Sequence, residues 1–290
     1  MKALKALSFG LLLLSATACG NDEPGELATA EFRVVSAIAP VSRAPQLTPD
    51  GAGHFVKGDV NTLLFHHNGQ QLLQTFSYTY GSRYYWADVH LPAGVKQCQL
   101  SATYPPVSAP APQHYEWDVR SAQPTADFLM AAPVDVQAFT SSPIRLSFSH
   151  AMHNLAVELQ SGDASISDEQ LGQASVACRN FQPVAVLNLL EGKAVGVKGN
   201  LMESTATGKR VKFIIPAQPV GAMEVVVRLA DREGIFRLAD SQLNGAALQQ
   251  LESGKTLTLK IKVNKSSFTI VGQSISGWDS QGEFEDSIII

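Results

Sequence analysis

Apolar and polar residues alternate with a period of two along much of the chain. Leu257-Thr258-Leu259-Lys260-Ile261-Lys262-Val263 alternates without a break, and Phe76-Ser77-Tyr78-Thr79-Tyr80 alternates aromatic with polar residues. This period puts one set of side chains on a buried face and the other in water, which predicts antiparallel sandwich strands. Further segments of this kind run from Val60 to Phe65, Ile144 to Phe148, Leu155 to Leu159, Val211 to Ile215, Glu224 to Leu229 and Ser267 to Val271. Turn residues divide them: Asn68-Gly69, Pro105-Pro106, Ser161-Gly162-Asp163, Glu191-Gly192 and Asn244-Gly245. Helical spacing occurs twice. Ser167-Asp168-Glu169-Gln170 has the form of a capping box, and Leu243 to Leu251, ended by Gly254, has apolar residues four apart. Both predict short connecting helices. The strand count predicts an all-β chain with two β-sandwich domains in tandem, residues 44–155 and residues 156–290, the second with a C-terminal tail.

The N-terminus departs from this pattern. Met1, Lys2 and Lys5 precede an apolar run through Leu7, Phe9 and Leu11 to Leu14. That run falls short of the roughly 20 residues a spanning helix needs and fits the core of a secretory signal, so residues 1–18 are expected to be removed. Ser15-Ala16-Thr17-Ala18-Cys19 brings small residues up to a cysteine, as a lipoprotein signal peptidase requires. Cys19 is the predicted lipidation site, with an ordinary signal peptide cut near Ala18 as the alternative. Several acyl chains make such an anchor stable where one does not. The acidic Asn21-Asp22-Glu23 resembles a sorting signal for the outer face of an outer membrane. Residues 19–43 then form a tether and a strand-like run.

The chain has 290 residues, 45% of them hydrophobic, enough for a core in each of two domains. Its net charge of −4 and the lack of any Lys/Arg cluster argue against nucleic acid as a partner. Beyond Cys19 the cysteines are Cys98 and Cys178; they could form one disulfide in an oxidising compartment, but one lies in each predicted domain, which favours two separate buried thiols.

Candidate chemistry is sparse. His150 and His153 stand three apart, a metal-binding spacing on a helix, but Leu146, Phe148, Leu155 and Val157 around them read as strand and no third ligand stands near. His66 and His67 would point to opposite faces of a strand. Neither pair is assigned a metal. Nucleophile elbow, phosphate-binding glycine loop, Cys-x-x-Cys and His-Glu-x-x-His are all missing, so no catalytic residue, cofactor or enzymatic activity is predicted. Tyr78, Tyr80, Tyr84, Tyr85 and Trp86 admit two readings, a sugar-stacking platform or core packing, and strand-spaced aromatics favour core.

Several segments in register resemble the fimbrillin family, the subunits and subunit-like lipoproteins of type V pili. They are Phe55-Val56-Lys57-Gly58-Asp59 with Val41-Ser42-Arg43-Ala44 before it, Ala126-Asp127-Phe128-Leu129-Met130-Ala131, Ile144 through Leu159 with its His150-Ala151 turn, Ile214-Ile215-Pro216-Ala217-Gln218, Gly254-Lys255, and Ile275-Ser276-Gly277-Trp278. His153-Asn154 departs from the family, which usually has a small residue and Lys there. The resemblance implies two transthyretin-like sandwiches, export as a lipoprotein, proteolytic removal of an N-terminal strand and strand exchange between subunits.

On this chain the removed strand would be Glu31 to Val41, with Phe32, Val34, Ser36 and Ile38 on one face and Val35, Ala37, Ala39 and Val41 on the other. A trypsin-like protease would cut after Arg43, where Pro45 disfavours regular structure. Arg33 is the competing site. Phe284, Ile288 and Ile290, which share a face of an extended chain, are the donor candidates for strand exchange. The expected partners are other pilin subunits, the outer-membrane lipid through Cys19, and a host or bacterial surface ligand. The expected location is the outer-membrane surface or the fimbrium. The alternative is a surface lipoprotein that anchors fimbriae or binds glycan or protein and never polymerises.

Overall fold

The computed structural model describes residues 30–38, 55–121, 126–243 and 245–278. Cys19, Arg43, Phe284, Ile288 and Ile290 therefore lie outside the described residues, as does the end of the predicted Glu31 to Val41 strand. The described chain is almost entirely β, with short helices only at Trp86–Val89 and Asp168–Gly172 and two single 3-10 turns. The second helix opens on the predicted box: Ser167 Oγ accepts from the Gln170 amide and Gln170 Oε1 accepts from the Ser167 amide.

A six-stranded sheet occupies the first half. Its order is Val34–Ile38, Ile144–His150, Leu129–Gln137, Gln97–Tyr104, Val60–His67, Gln71–Thr79. All neighbours are antiparallel except the first pair, which is parallel. The last two strands are joined by Asn68-Gly69, both at positive φ (47° and 64°), the geometry a twisted two-residue turn demands and Asn-Gly tolerates. The Val60–His67 strand is covered on both faces. Leu63 and Phe65 join an aromatic-rich cluster on one side, while Leu64 enters the larger core on the other.

The second half holds two four-stranded sheets. One runs Arg210–Pro216, Met152–Ser161, Lys255–Val263, Phe268–Gly277; the other runs Met202–Thr207, Ser175–Phe181, Glu224–Leu229, Arg232–Arg237. Leu155, Val157, Phe213, Leu257, Leu259 and Ile261 of the first share one core with Val176, Cys178, Val225 and Val227 of the second, so the two sheets bury apolar faces against each other. Tyr115–Asp118, from the first half, pairs with Val184–Asn188 in a further three-stranded sheet with Lys193–Lys198. Trp117 and Phe128 enter the larger core with it.

Two expectations are corrected. Leu243 to Leu251 is not a helix: Gln242–Leu243 pairs with Ala246–Ala247 as a minimal hairpin, and Gln250–Leu251 pairs with Gln218–Pro219. Gly245 at φ 82° makes the reversal, so the turn dipeptide outweighs the apolar spacing around it. Leu257 to Val263 keeps its outer face wet only at Lys260 and Lys262, which are exposed. Thr256 and Thr258, at its start, are buried along with Leu257, Leu259, Ile261 and Val263, because the outer face is covered at that end of this central strand. Thr256 Oγ1 is satisfied there by Asn154 Nδ2 at 3.2 Å.

Both remaining cysteines are unpaired and buried, Cys98 in the six-stranded sheet and Cys178 in the core of the second half. Burial raises their thiols to about 11 and about 12, so neither is a ready nucleophile.

Candidate functional site

The best-developed site is the edge where the N-terminal segment lies. Glu31–Phe32 pairs antiparallel with Tyr84–Tyr85, the chain steps across at Arg33, and Val34–Ile38 then pairs parallel with Ile144–Phe148. Backbone bonds secure the crossing: Trp86 N donates to Ala30 O at 3.0 Å and Ile144 N to Arg33 O at 2.9 Å. The alternation expected from the sequence is present. Phe32, Val34 and Ile38 are buried, while Val35 is 41% exposed.

What they are buried against explains the aromatic run. Phe32 packs edge-on to Trp86 (ring centroids 4.9 Å apart), Phe76 (5.8 Å) and Tyr78 (6.0 Å), and meets Phe65 at 6.0 Å. Edge-to-face pairs of this kind are each worth about 0.5–1.5 kcal/mol beyond area burial. Trp86 is fixed in turn by its indole N–H, which donates to Thr140 O at 2.8 Å. Tyr78, Tyr80, Tyr84 and Trp86 are thus core for the N-terminal strand, and Tyr85 is the exposed member of the run. At the other end of the strand Ile38 stands opposite Phe148, whose ring packs on Phe55 at 4.8 Å.

Two tyrosine hydroxyls mark the strand's polar positions. Tyr78 Oη lies 3.4 Å from both the amide nitrogen and the carbonyl oxygen of Val34. Tyr80 Oη donates to Ser36 Oγ and accepts from Asn61 Nδ2 at 3.2 Å, and Asn61 is fully buried. Burial pushes the Tyr80 phenol up to about 12, so it remains a neutral donor. Ser36, Asn61 and Tyr80 come from three strands, and no local signal in the sequence links them.

His150 and His153 each have a partner within the fold. His150 Nδ1 lies 2.5 Å from Asp127 Oδ2, and its ring stacks on Trp278 at 4.3 Å with the planes 11° apart. Trp278 N donates to Gly254 O and Gly254 N to Met152 O, both at 2.9 Å, which ties the end of the Phe268–Gly277 strand over His150. His153 is buried, its Nδ1–H donates to Glu252 O at 2.9 Å, and burial lowers its pKa to about 4. The two imidazoles have separate partners. Among the described residues no three His, Cys, Asp or Glu side chains gather as metal ligands would.

A family model described as fimbrillin-like matches residues 60–278. No curated protein matches the chain. Among solved structures the chain is similar to a candidate cell adhesion protein from Bacteroides uniformis, with TM-score 0.63 and 16% identity over 78% of this chain and 93% of that one. A second, from Bacteroides ovatus, has TM-score 0.61 and 17% identity over 88% and 100%. A third, from Parabacteroides distasonis, has TM-score 0.54 and 11% identity over 89% and 100%. At these identities the likeness is one of fold.

Proposed function

Because the chain belongs to the fimbrillin-like family, matched over residues 60–278, we propose that it is a structural subunit of a cell-surface fimbrium, a stalk or tip pilin, whose N-terminal strand keeps it unassembled until removed. The observation that carries this is the placement of Glu31–Ile38. It contributes three buried side chains, yet it joins the six-stranded sheet at an edge through one parallel pairing. An edge strand can leave without opening any central ladder. Its departure bares the amides of Ile144–Phe148 and the aromatic pocket around Phe32.

Such a surface does not stay empty. Burial of a side chain such as Phe, Val or Ile is worth about 1.5–3 kcal/mol, so the three places left by Phe32, Val34 and Ile38 favour a replacement by about 5–9 kcal/mol. An extended segment from another subunit supplies it, pairing its backbone with the bared edge and filling alternate pockets. The trigger is cleavage after Arg43 by a trypsin-like protease, since cutting at Arg33 would leave Val34–Ile38 in place. The chain reaches the surface as a lipoprotein acylated on Cys19. Phe284, Ile288 and Ile290 of a neighbouring copy are the donor candidates. The protein acts through packing and display, not through catalysis.

The test is the purified precursor, wild type and Arg43→Ala, treated with a trypsin-like protease and run as detergent-resistant ladders. Wild-type protein should polymerise only after the cut, and Arg43→Ala should stay monomeric. Ladders formed equally well by uncut Arg43→Ala protein refute the trigger. Wild-type protein that is cut and stays monomeric points to the non-polymerising lipoprotein instead. Separately, Cys19→Ala should lose acyl labelling; retained label refutes the anchor.

A further inference from the structure

We propose that the groove under Glu31–Ile38 selects its incoming segment through four subsites, three of them apolar and one, at the place of Ser36, that requires a hydrogen-bonding side chain. This rests on the strand-exchange function proposed above and adds what the partner must look like.

The four places lie two residues apart along the Glu31–Ile38 segment, Phe32 before the crossing at Arg33 and Val34, Ser36 and Ile38 after it. Phe32 sits among Phe65, Phe76, Tyr78 and Trp86; Val34 and Ile38 are 6% and 4% exposed. A purely apolar alternation would therefore suit the first, second and fourth places. The third differs. There Tyr80 donates to Ser36 Oγ, and buried Asn61 holds the Tyr80 oxygen from behind. An incoming Val or Leu at this place would cover the Tyr80 hydroxyl and leave its proton without an acceptor, and a covered, unpaired donor costs more than the bond itself contributes. The Tyr78 hydroxyl, by contrast, contacts the backbone of Val34, which any residue other than proline presents. Tyr78 thus fixes where a strand lies, and Tyr80 reads its register. A one-residue slip turns every inward side chain outward, and a two-residue slip brings an apolar side chain to Tyr80.

The partner is therefore an extended segment of another polypeptide with apolar residues at three alternate places and Ser, Thr or another acceptor at the third of the four. Residues 284–290 of a second copy meet this condition in one direction only. Running as Val34–Ile38 does, they would place Asp286 at the buried position of Val34 and Ile288 against the Tyr80 hydroxyl. Reversed, Ile290, Ile288, Asp286 and Phe284 take the places of Phe32, Val34, Ser36 and Ile38, and the carboxylate meets the Tyr80 hydroxyl. Such a segment enters antiparallel to Ile144–Phe148.

The test uses the full chain cut after Arg43 and fluorescent nine-residue peptides of the sequence Ala30 to Ile38, unaltered or carrying Ser36→Thr or Ser36→Val. The unaltered and Ser36→Thr peptides should exchange into the cut chain, with Ser36→Val weaker by about 5- to 100-fold, the cost of one covered, unpaired donor. In a Tyr80→Phe chain the Ser and Val peptides should bind alike. Equal binding of the two by wild-type chain, or an undiminished Val penalty with Tyr80→Phe, overturns the subsite while leaving strand exchange standing. Failure of the unaltered peptide to enter sinks strand exchange itself, and this inference with it. A peptide of residues 282–290 with a photocrosslinker at 284 should label the Phe55 and Phe148 end of the groove; labelling at Trp86 overturns the reversed direction.

Discussion

Phe32→Ala, made in the uncut chain, tests whether the N-terminal strand is part of the core or merely lies upon it. Phe32 is 1% exposed and is met by the rings of Phe65, Phe76, Tyr78 and Trp86. Truncating a buried Phe to Ala costs about 3–5 kcal/mol, through lost transfer energy and the cavity left behind. Trp86 is tied to Thr140 O and Tyr78 to the backbone of Val34, so the walls are held and the cavity can close little. The upper half of that range is expected. Each kcal/mol moves the melting midpoint by about 2–4 °C at about 150–250 residues and by less in a chain of 290, which puts the shift at no more than about 8–20 °C. Urea unfolding followed by tryptophan emission, with an unchanged slope, measures the loss. Val35→Ala on the same strand is the control: Val35 is 41% exposed, and its loss should stay within about 0.5 kcal/mol. A Phe32→Ala cost below about 1 kcal/mol, or one equal to that of Val35→Ala, would refute the packing and with it the groove.

His153 gives a pH signature. Its folded pKa of about 4 lies below the ordinary 6.5, so below 6.5 the unfolded chain binds the extra proton; the stability it contributes is complete above about 6.5 and is lost as the pH falls towards 4, by a few kcal/mol. His153→Asn should flatten the urea midpoint across that window, and an unchanged acid slope refutes the assignment. Trp278→Ala removes the ring stacked on His150 and should cost about 3–5 kcal/mol, whereas Trp278→Phe, which keeps a stacking ring, should cost less than half as much. Equal losses for the two, read by urea unfolding, would show that the stack contributes nothing specific.

Much of this architecture is written into local sequence because its causes are local. Alternation in Ile144 to Phe148 and Leu155 to Leu159 reports which side chains must leave water, and both segments are strands. Asn68-Gly69 announces its turn because few other residues accept positive φ at successive positions. The inward face of the N-terminal strand was legible for the same reason, as Phe32, Val34 and Ile38 show. Local pattern misled where two local signals competed: the spacing of Leu243 to Leu251 suggested a helix, and the reversal at Gly245 overruled it.

What the strand packs on was decided by the tertiary fold alone. The parallel pairing of Val34–Ile38 with Ile144–Phe148 joins segments more than a hundred residues apart, and period-two patterning carries no information about which edge a strand will choose. The hydrogen-bonded set of Ser36, Asn61 and Tyr80 is equally invisible along the chain, since each is an ordinary polar position of its own strand until sheet pairing and strand docking bring them together. So is the meeting of Asp127, His150 and Trp278, which stand in three separate segments. Alternation expresses the free energy of taking one residue out of water, a property of that residue; the choice of partner expresses shape and hydrogen-bond complementarity between surfaces that exist only once the chain has folded.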